Sequence, residues 1–428
     1  MAEGKRTRSA AHAVTQGDIA EDMRNDDGLR GAVGISVLDR DCYVRGRLPW
    51  SAADEFRRWR DSDDAYLYTY EQERVGARSR EDVRGAFRIL CAENEFNPIA
   101  DMLKGLPKWD HEPRARFMLW ALFGATDGEY TRAVSELWMR GAVRRAFEPG
   151  CKFDYTLVLK GAQGIKKSLT GRRLAMREEF FFETVTAITN PKITAEQVGG
   201  KWIVEIGELS GMRGRDLEAV KAALTAQKTT VRKAYDRYVS DVPRSCVFLA
   251  TTNERTFLTD HTGNRRFLPV ACGESDERKG WDVAGSGELE AFIEQAWAEI
   301  VYRYQSAKIR AADEDEFLRL FPLMLDDEGE RLAEAVREES FVEDTRVGAI
   351  GEWLEEQLAL GVTRVSTRMV AEGALHVEGE GLERNNKLTN EIGNILNESF
   401  PEWRFVGKRR IKGSSPVRSW DYVGGAGR

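Results

Sequence analysis

Long apolar runs are missing from this 428-residue chain. None approaches the roughly 20 residues that a membrane-spanning helix needs. The opening stretch, MAEGKRTRSAAHAVTQGDIAEDMRNDDG, also lacks the apolar segment of a secretory signal. Cysteine is scarce: Cys42, Cys91, Cys151, Cys246 and Cys272 are scattered, odd in number and form no C-x-x-C pair. That argues against a disulfide framework or a zinc site and fits a reducing cytoplasm. Histidine is scarcer still, with four in the whole chain, which disfavours a histidine-built catalytic metal centre. Excess positive charge is lacking too. The net charge is -7, so any affinity for nucleic acid has to come from local basic patches. What remains is a soluble, cytoplasmic composition, 42% hydrophobic and 32% charged, long enough for two or three cores.

Several regions follow one another without internal repeats. Residues 1–45 are polar and rich in Gly and Asp, and are expected to be frayed or disordered. Residues 46–148 space their aromatic and aliphatic side chains three and four apart, which predicts a helical N-terminal or collar domain. Pro149-Gly150 ends it. Residues 149–305 alternate short apolar runs (YTLVL, WIVEI, CVFLATT, RFLPVA) with helical stretches, the pattern of an α/β domain with a parallel sheet. A charged helical connector is expected over 306–341. The last region, 342–428, is a small helix-rich unit closing on WRFVGKRRIKGSSPVRSWDYV, read as a hairpin in which Arg404, Lys408, Arg409, Arg410, Lys412 and Arg418 outweigh the acids.

Chemistry concentrates in LVLKGAQGIKKSLTGRRL, residues 157–174. An apolar strand leads into Gly161, and Lys167 and Ser168 follow where G-x-x-x-x-G-K-[ST] places its lysine and hydroxyl. Such a loop wraps phosphates with backbone N–H groups at a helix N-terminus, bridges them with the lysine and offers the hydroxyl to Mg²⁺. Gly161 and Gly164 supply the pliant backbone. Lys166 stands at the position of the second glycine. At negative φ it costs little; at positive φ it costs on the order of 1 kcal/mol. A glycine-rich turn carrying ordinary surface lysines is the competing reading.

Three downstream stretches have the same strand-then-polar syntax. KWIVEIGEL ends in Glu205 and Glu208, one expected to hold Mg²⁺ through water and the other to polarise an attacking water, with the roles exchangeable. A strand followed by solvated acids would look the same. SCVFLATTN ends in Thr251, Thr252 and Asn253, a γ-phosphate sensor position. TDHTGNRRFLPV places Arg265 and Arg266 before another strand, as arginine fingers toward a neighbouring subunit or as partners of surface acids.

Together, WDHEPRARF, PGCKFDYTLVLKGAQGIKKS, WIVEIGEL, VKAALTAQKTTVRKAYDRY, PRSCVFLATTN and FLTDHTGNRRFLPV resemble the virulence-associated protein E family, helicase-like P-loop ATPases of phages and phage-derived islands. That family resembles superfamily 3 replicative helicases. The resemblance covers roughly residues 97–271. It implies an α/β, AAA+/superfamily 3-like P-loop core, flanked by the helical N-terminal domain and a small winged-helix-like C-terminal domain. It also implies ATP on Lys167 and Ser168, Mg²⁺ and water handled by Glu205 and Glu208, sensing by Asn253 and an arginine role for Arg265 or Arg266. Activity would then be ATP-driven translocation on single-stranded DNA by a homo-oligomer, a hexameric ring, with priming left to a separate primase or replisome protein.

Between the acidic and sensor strands, Thr229–Val231 and Tyr235–Val239 are read as a hairpin with Arg232 and Lys233 at its turn. In a ring it would face the channel, its cations, Arg237 among them, on phosphates and Tyr235 or Tyr238 on bases; a solvated surface hairpin is the alternative. The C-terminal unit would bind duplex DNA at an origin or pack on the ring. A reading from another class also stands: a DNA-binding or interference factor that acts through this unit and takes nucleotide weakly or not at all.

Overall fold

The structure is a computed structural model that describes residues 13–184, 197–207, 209, 215–231, 239–254, 256–258, 264–275, 287–341, 345–377, 386–409 and 417–424. The chain divides into two compact units, 1–341 and 342–428.

From residue 13 onward, the first unit is ordered where fraying was expected. Helix α1 (Gln16–Asn25) starts at Thr15, whose hydroxyl accepts the Asp18 N–H while Asp18 accepts the Thr15 N–H in return. This reciprocal cap satisfies two donors that a helix start otherwise leaves open. Strands β1 (Val33–Ser36), β2 (Cys42–Val44) and β3 (Arg57–Arg58) follow, then helices α2 (Asp61–Val75) and α3 (Arg80–Glu93) and strand β4 (Glu95–Phe96). The sheet order is β3-β2-β1-β4, with β1 and β4 parallel. Ile19, Met23, Val33, Leu67, Phe87 and Leu90 form its own core. The strands are two to four residues long, too short for period-2 alternation to show in sequence.

From α4 (Pro98–Lys104) through α5 (Met118–Phe123) and α6 (Glu129–Phe147), the helices pack on the central sheet and share its core. Trp138 on α6 donates its indole N–H to Phe248 O, and Trp202 donates to Ala142 O. The packing boundary therefore lies near residue 97, ahead of Pro149-Gly150.

The central sheet holds β5 (Thr156–Lys160), β6 (Phe181–Thr184), β7 (Ile203–Ile206), β10 (Val247–Thr252) and β11 (Phe267–Ala271) in the order β11-β5-β10-β7-β6. Every neighbouring pair is parallel. Four of these strands are the apolar runs read from sequence. Alternation splits them between two cores. Leu157, Leu159, Ile203 and Leu249 face α6 and the helix Glu288–Arg310, while Val158, Val204, Phe248 and Ala250 face the helix Arg215–Thr225.

Strands β8 (Lys228–Val231) and β9 (Ser240–Pro243) form an antiparallel pair, with Val231 opposite Ser240. The second strand begins at Ser240, and residues 235–238 of the expected Tyr235–Val239 lie outside the described residues. Asp241 fixes that register by meeting both Lys228 and Thr230 across the pair. The expected connector is not separate either. The helix Glu288–Arg310 runs through residue 305, and Phe317, Phe321 and Ala333 are buried in the main core.

The second unit runs helix Thr345–Ala359, β12 (Arg364–Ser366), helix Thr367–Gly373, helix Asn386–Ser399, β13 (Trp403–Arg409) and β14 (Val417–Tyr422). Its sheet order is β12-β14-β13, all antiparallel, so the expected C-terminal hairpin is present and gains a third strand. Arg410 and Lys412 lie outside the described residues. Among the described residues, no helix is long and apolar enough to cross a membrane.

Candidate functional site

Helix α7 (Lys167–Leu174) begins after a six-residue connection from β5, at the C-terminal edge of the parallel sheet. Polar side chains from neighbouring strand tips meet there, as expected for open α/β sheets. Loop 161–166 makes the connection. A Cβ on Gly161 would stand 2.8 Å from Cys272 O, so the close approach of β11's end requires glycine there. Gly164 has φ +88°. Lys166 has φ +60° and ψ +32°, which settles the question its sequence position raised. It occupies the left-handed region, at a cost on the order of 1 kcal/mol. It also serves as the N-cap of α7: its carbonyl accepts both the N–H and the hydroxyl of Thr170.

Lys167 turns inward and is 8% exposed. Its ammonium donates to Gly161 O at 2.6 Å, Ala162 O at 3.1 Å and Asn253 Oδ1 at 3.2 Å. Burial holds its pKa below the usual lysine value. Two loop carbonyls and one amide thus satisfy a buried cation for which an anionic ligand would be the stronger partner.

Ser168 Oγ donates to Glu205 Oε1 at 2.6 Å, and Thr251 Oγ1 donates to the same oxygen at 3.0 Å. Register explains the meeting: Glu205 on β7 lies beside Leu249 on β10, and Thr251 is two residues further on the same face. Glu205 is 1% exposed, and its Oε2 is buried without a hydrogen-bond partner. Burial raises its pKa, and the Ser168 and Thr251 hydrogen bonds oppose the rise. A buried carboxylate oxygen left open beside a serine hydroxyl is the donor set a hard divalent cation takes. These residues fit Mg²⁺.

The fold therefore brings Gly161, Gly164, Lys166, Lys167, Ser168, Glu205 and Asn253 together from three separate stretches. Glu208, Arg232, Lys233, Tyr235, Arg237 and Tyr238 lie outside the described residues. Arg265 and Arg266 do not join the cluster. They precede β11, whose Phe267 pairs with Thr156 at the start of β5, whereas the loop follows the end of β5. A five-residue strand puts them on the order of 15 Å away along the sheet. There they line a cavity of about 530 Å³ with Glu330, Glu334 and Arg337.

Two neighbours of Glu205 went unrecognised in the sequence. In SCVFLATTN, Thr251 reads with Thr252 and Asn253 as a sensor tip and not as a partner of Glu205, although a hydroxyl two residues before Asn253 is the available signal. Glu183 on β6 pairs directly with Glu205, and its charge adds to the rise in Glu205's pKa. Its guanidinium neighbour Arg172, on α7, is 3.7 Å away. No sequence pattern marks Glu183, because β6 has only four residues.

A family model described as the virulence-associated protein E-like domain matches residues 103–334, which include every residue of this cluster. None of the curated proteins matches the chain. Among solved structures, the A form apo structure of the NrS-1 C terminal region is similar at 13% identity and TM-score 0.48, covering 91% of this chain and 96% of that one. A second apo structure of that region gives 13% identity and TM-score 0.46, covering 92% and 96%.

Proposed function

The chain belongs to the virulence-associated protein E-like domain family, and from that premise we propose that it is an ATPase that drives movement along single-stranded DNA in the replication of a phage or mobile element. One observation carries the reading. The cation of Lys167, the hydroxyl of Ser168, the open carboxylate oxygen of Glu205 and the amide of Asn253 converge at the start of one helix. A turn decorated with surface lysines would leave the Lys167 side chain in solvent, whereas it is buried.

In this reading the N–H groups of loop 161–166 and the Lys167 ammonium take the phosphates of ATP. Lys167 exchanges its loop carbonyls for phosphate oxygens, a charge-assisted replacement. Ser168 and Glu205 hold Mg²⁺, Glu205 through water. The metal, when bound, neutralises phosphate charge. Asn253 reports on the terminal phosphate through its contact with Lys167. Glu208 supplies the carboxylate that polarises water, as the sequence order expects. Arg265 and Arg266, at the opposite edge of the sheet, act on the nucleotide of a neighbouring copy. That requires a homo-oligomer, which we take to be a hexameric ring. Arg232, Lys233, Tyr235 and Arg237 grip DNA in its channel. The second unit contacts duplex DNA, and a separate protein supplies primers.

The test is Mg²⁺-dependent ATP binding and hydrolysis by the full chain, with and without single-stranded DNA. Hydrolysis stimulated by DNA supports the reading. DNA binding without any nucleotide binding favours the interference factor.

A further inference from the structure

WDHEPRARF contributes nothing to the nucleotide cluster, yet its first residues build a cleft elsewhere on the first unit. Loop 107–112 lies across the helix Glu288–Arg310. The Asp110 N–H donates to Gln295 Oε1 at 3.0 Å, and Gln295 Nε2 donates back to Lys108 O at 3.3 Å. At the loop's end, the buried carboxylate of Glu299 accepts the N–H groups of Arg114 and Ala115 at 2.6 and 2.8 Å. Trp109 closes the loop on itself, its indole N–H donating to Glu112 O at 2.9 Å. The loop is fixed, and what it holds out is aromatic.

Trp109, His111 and Tyr302 face one another, with ring centroids 4.9 Å apart for Trp109–His111, 5.3 Å for Trp109–Tyr302 and 5.7 Å for His111–Tyr302. His111 adopts φ +69° to present its ring, a conformation that costs a non-glycine residue energy and that clusters at binding sites. Tyr302 is 47% exposed. The rings border a cleft of about 370 Å³ with Leu103 and Val301 in its floor and Lys104 and Lys108 on its rim. Both lysines are exposed. The nearby acids are partly engaged: Asp110 pairs with Arg114 at 2.7 Å, and Asp101 stands 3.4 Å from the Lys104 ammonium.

We propose that this cleft binds single-stranded nucleic acid, taking an unstacked base against Trp109 and Tyr302 and the adjoining phosphates on Lys104 and Lys108. Rigid ring faces with cations beside them are the means by which proteins hold a single strand without reading its sequence. The lysine rim favours this polyanion over an apolar peptide, which would need no cations. The proposal rests on the reading of the chain as a single-stranded DNA protein and adds a contact that shares no residue with the Lys167 cluster.

The experiment uses the full chain and a fluorescent oligo-dT, by anisotropy, without nucleotide, so that the outcome does not depend on ATP. Tyr302→Ala and Trp109→Ala are each expected to weaken binding about tenfold, with Tyr302→Phe close to the parent. Lys108→Ala should lower the salt slope of log affinity by about one. Tyr302 carries the test if Trp109→Ala folds poorly, because its exposed ring leaves no buried hole. If the parent binds oligo-dT and Tyr302→Ala binds equally well, the proposal fails while the wider reading stands. A proline-rich peptide lost from Tyr302→Ala with oligo-dT affinity unchanged overturns it in favour of a protein partner. If the parent binds no oligo-dT, the DNA reading and this site fail together.

Discussion

The two edges of the central sheet differ in what they can complete alone. At the C-terminal edge, Lys167, Ser168, Glu205, Thr251 and Asn253 already touch one another within one chain. At the N-terminal edge, Arg265 and Arg266 face a basin whose other walls include Glu330, Glu334 and Arg337, at the far end of β5 from loop 161–166. The direction of the strands produces the split. In a parallel sheet all C-terminal tips share one edge, so residues after strands converge, while residues before a strand are left at the other end. A role for these arginines at a nucleotide therefore needs a second copy of the chain.

The deepest break in this contrast is Lys167→Ala. It removes the buried cation from the self-contained edge, and hydrolysis should fall by more than about a hundredfold, to background. Nucleotide affinity, read by titration with a fluorescent ATP analogue, should fall as well. Retained hydrolysis would mean that the cluster is a structural hydrogen-bond knot.

Next comes Arg266→Ala, with Arg265→Ala beside it. If these residues act across a subunit boundary, nucleotide binding stays near the parent level while hydrolysis drops by about 10- to 1000-fold. Mixing Arg266→Ala with Lys167→Ala chains should restore part of the activity, because a mixed assembly contains interfaces with an intact half from each. Hydrolysis per chain that is independent of protein concentration, with no rescue on mixing, would return Arg265 and Arg266 to the acids of their own basin.

The same contrast explains what the sequence revealed. The runs YTLVL, WIVEI, CVFLATT and RFLPVA are buried on both faces, so they read as continuous apolar stretches and became β5, β7, β10 and β11. Polar residues in or after three of these runs, Lys167 with Ser168, Glu205, and Thr251 with Asn253, meet at the C-terminal edge, whereas Arg265 and Arg266 precede the fourth. Glu183 and β6 were illegible because a four-residue strand carries too little pattern, and the bond from Thr251 to Glu205 depends on a strand register that the sequence does not state. The ordered segment from Gln16 to Val44 was hidden by its Gly and Asp content. Its turns and caps use those residues: Asp26, for example, accepts the Gly28 N–H at 2.6 Å. Backbone conformation at Lys166 was undecidable, since composition does not fix the sign of φ.

A sharper probe of the self-contained edge is Glu205→Gln. The buried, partly unpartnered carboxyl has a raised pKa, so between the ordinary glutamate value and the raised one the folded chain without metal holds a proton that the unfolded chain has released. Its contribution to stability is present below the ordinary glutamate value and is lost as pH rises through the raised one. Mg²⁺ needs the deprotonated form, so metal-dependent nucleotide affinity should rise over the same window. Glu205→Gln should flatten both trends, raise the melting temperature of the metal-free chain at pH above the raised value and weaken Mg²⁺-dependent affinity by about tenfold. Parallel pH profiles in parent and variant, from calorimetry and nucleotide titration, would show that Glu205 holds no cation.

The smallest effect belongs to Lys166→Gly, which tests whether the loop's departure from the usual glycine has a function. Lys166 sits at φ +60°, where a side chain costs about 1 kcal/mol and glycine costs little. Its carbonyl caps α7 through Thr170, a contact that glycine keeps. The substitution should therefore stabilise the chain by up to about 1 kcal/mol in denaturant unfolding, with part of the gain offset by the greater freedom of glycine in the unfolded state. The Lys167 and Ser168 contacts remain available, so hydrolysis should stay within about threefold of the parent. A Lys166→Ala control separates backbone from charge: it keeps the strained φ and loses the cation. If Lys166→Gly and Lys166→Ala lose nucleotide affinity equally while only the glycine variant gains stability, the Lys166 ammonium is a second phosphate contact, and the strain is retained for it. If both bind nucleotide as the parent does, Lys167 alone carries the charge, and the left-handed lysine is a local cost offset by the rest of the fold.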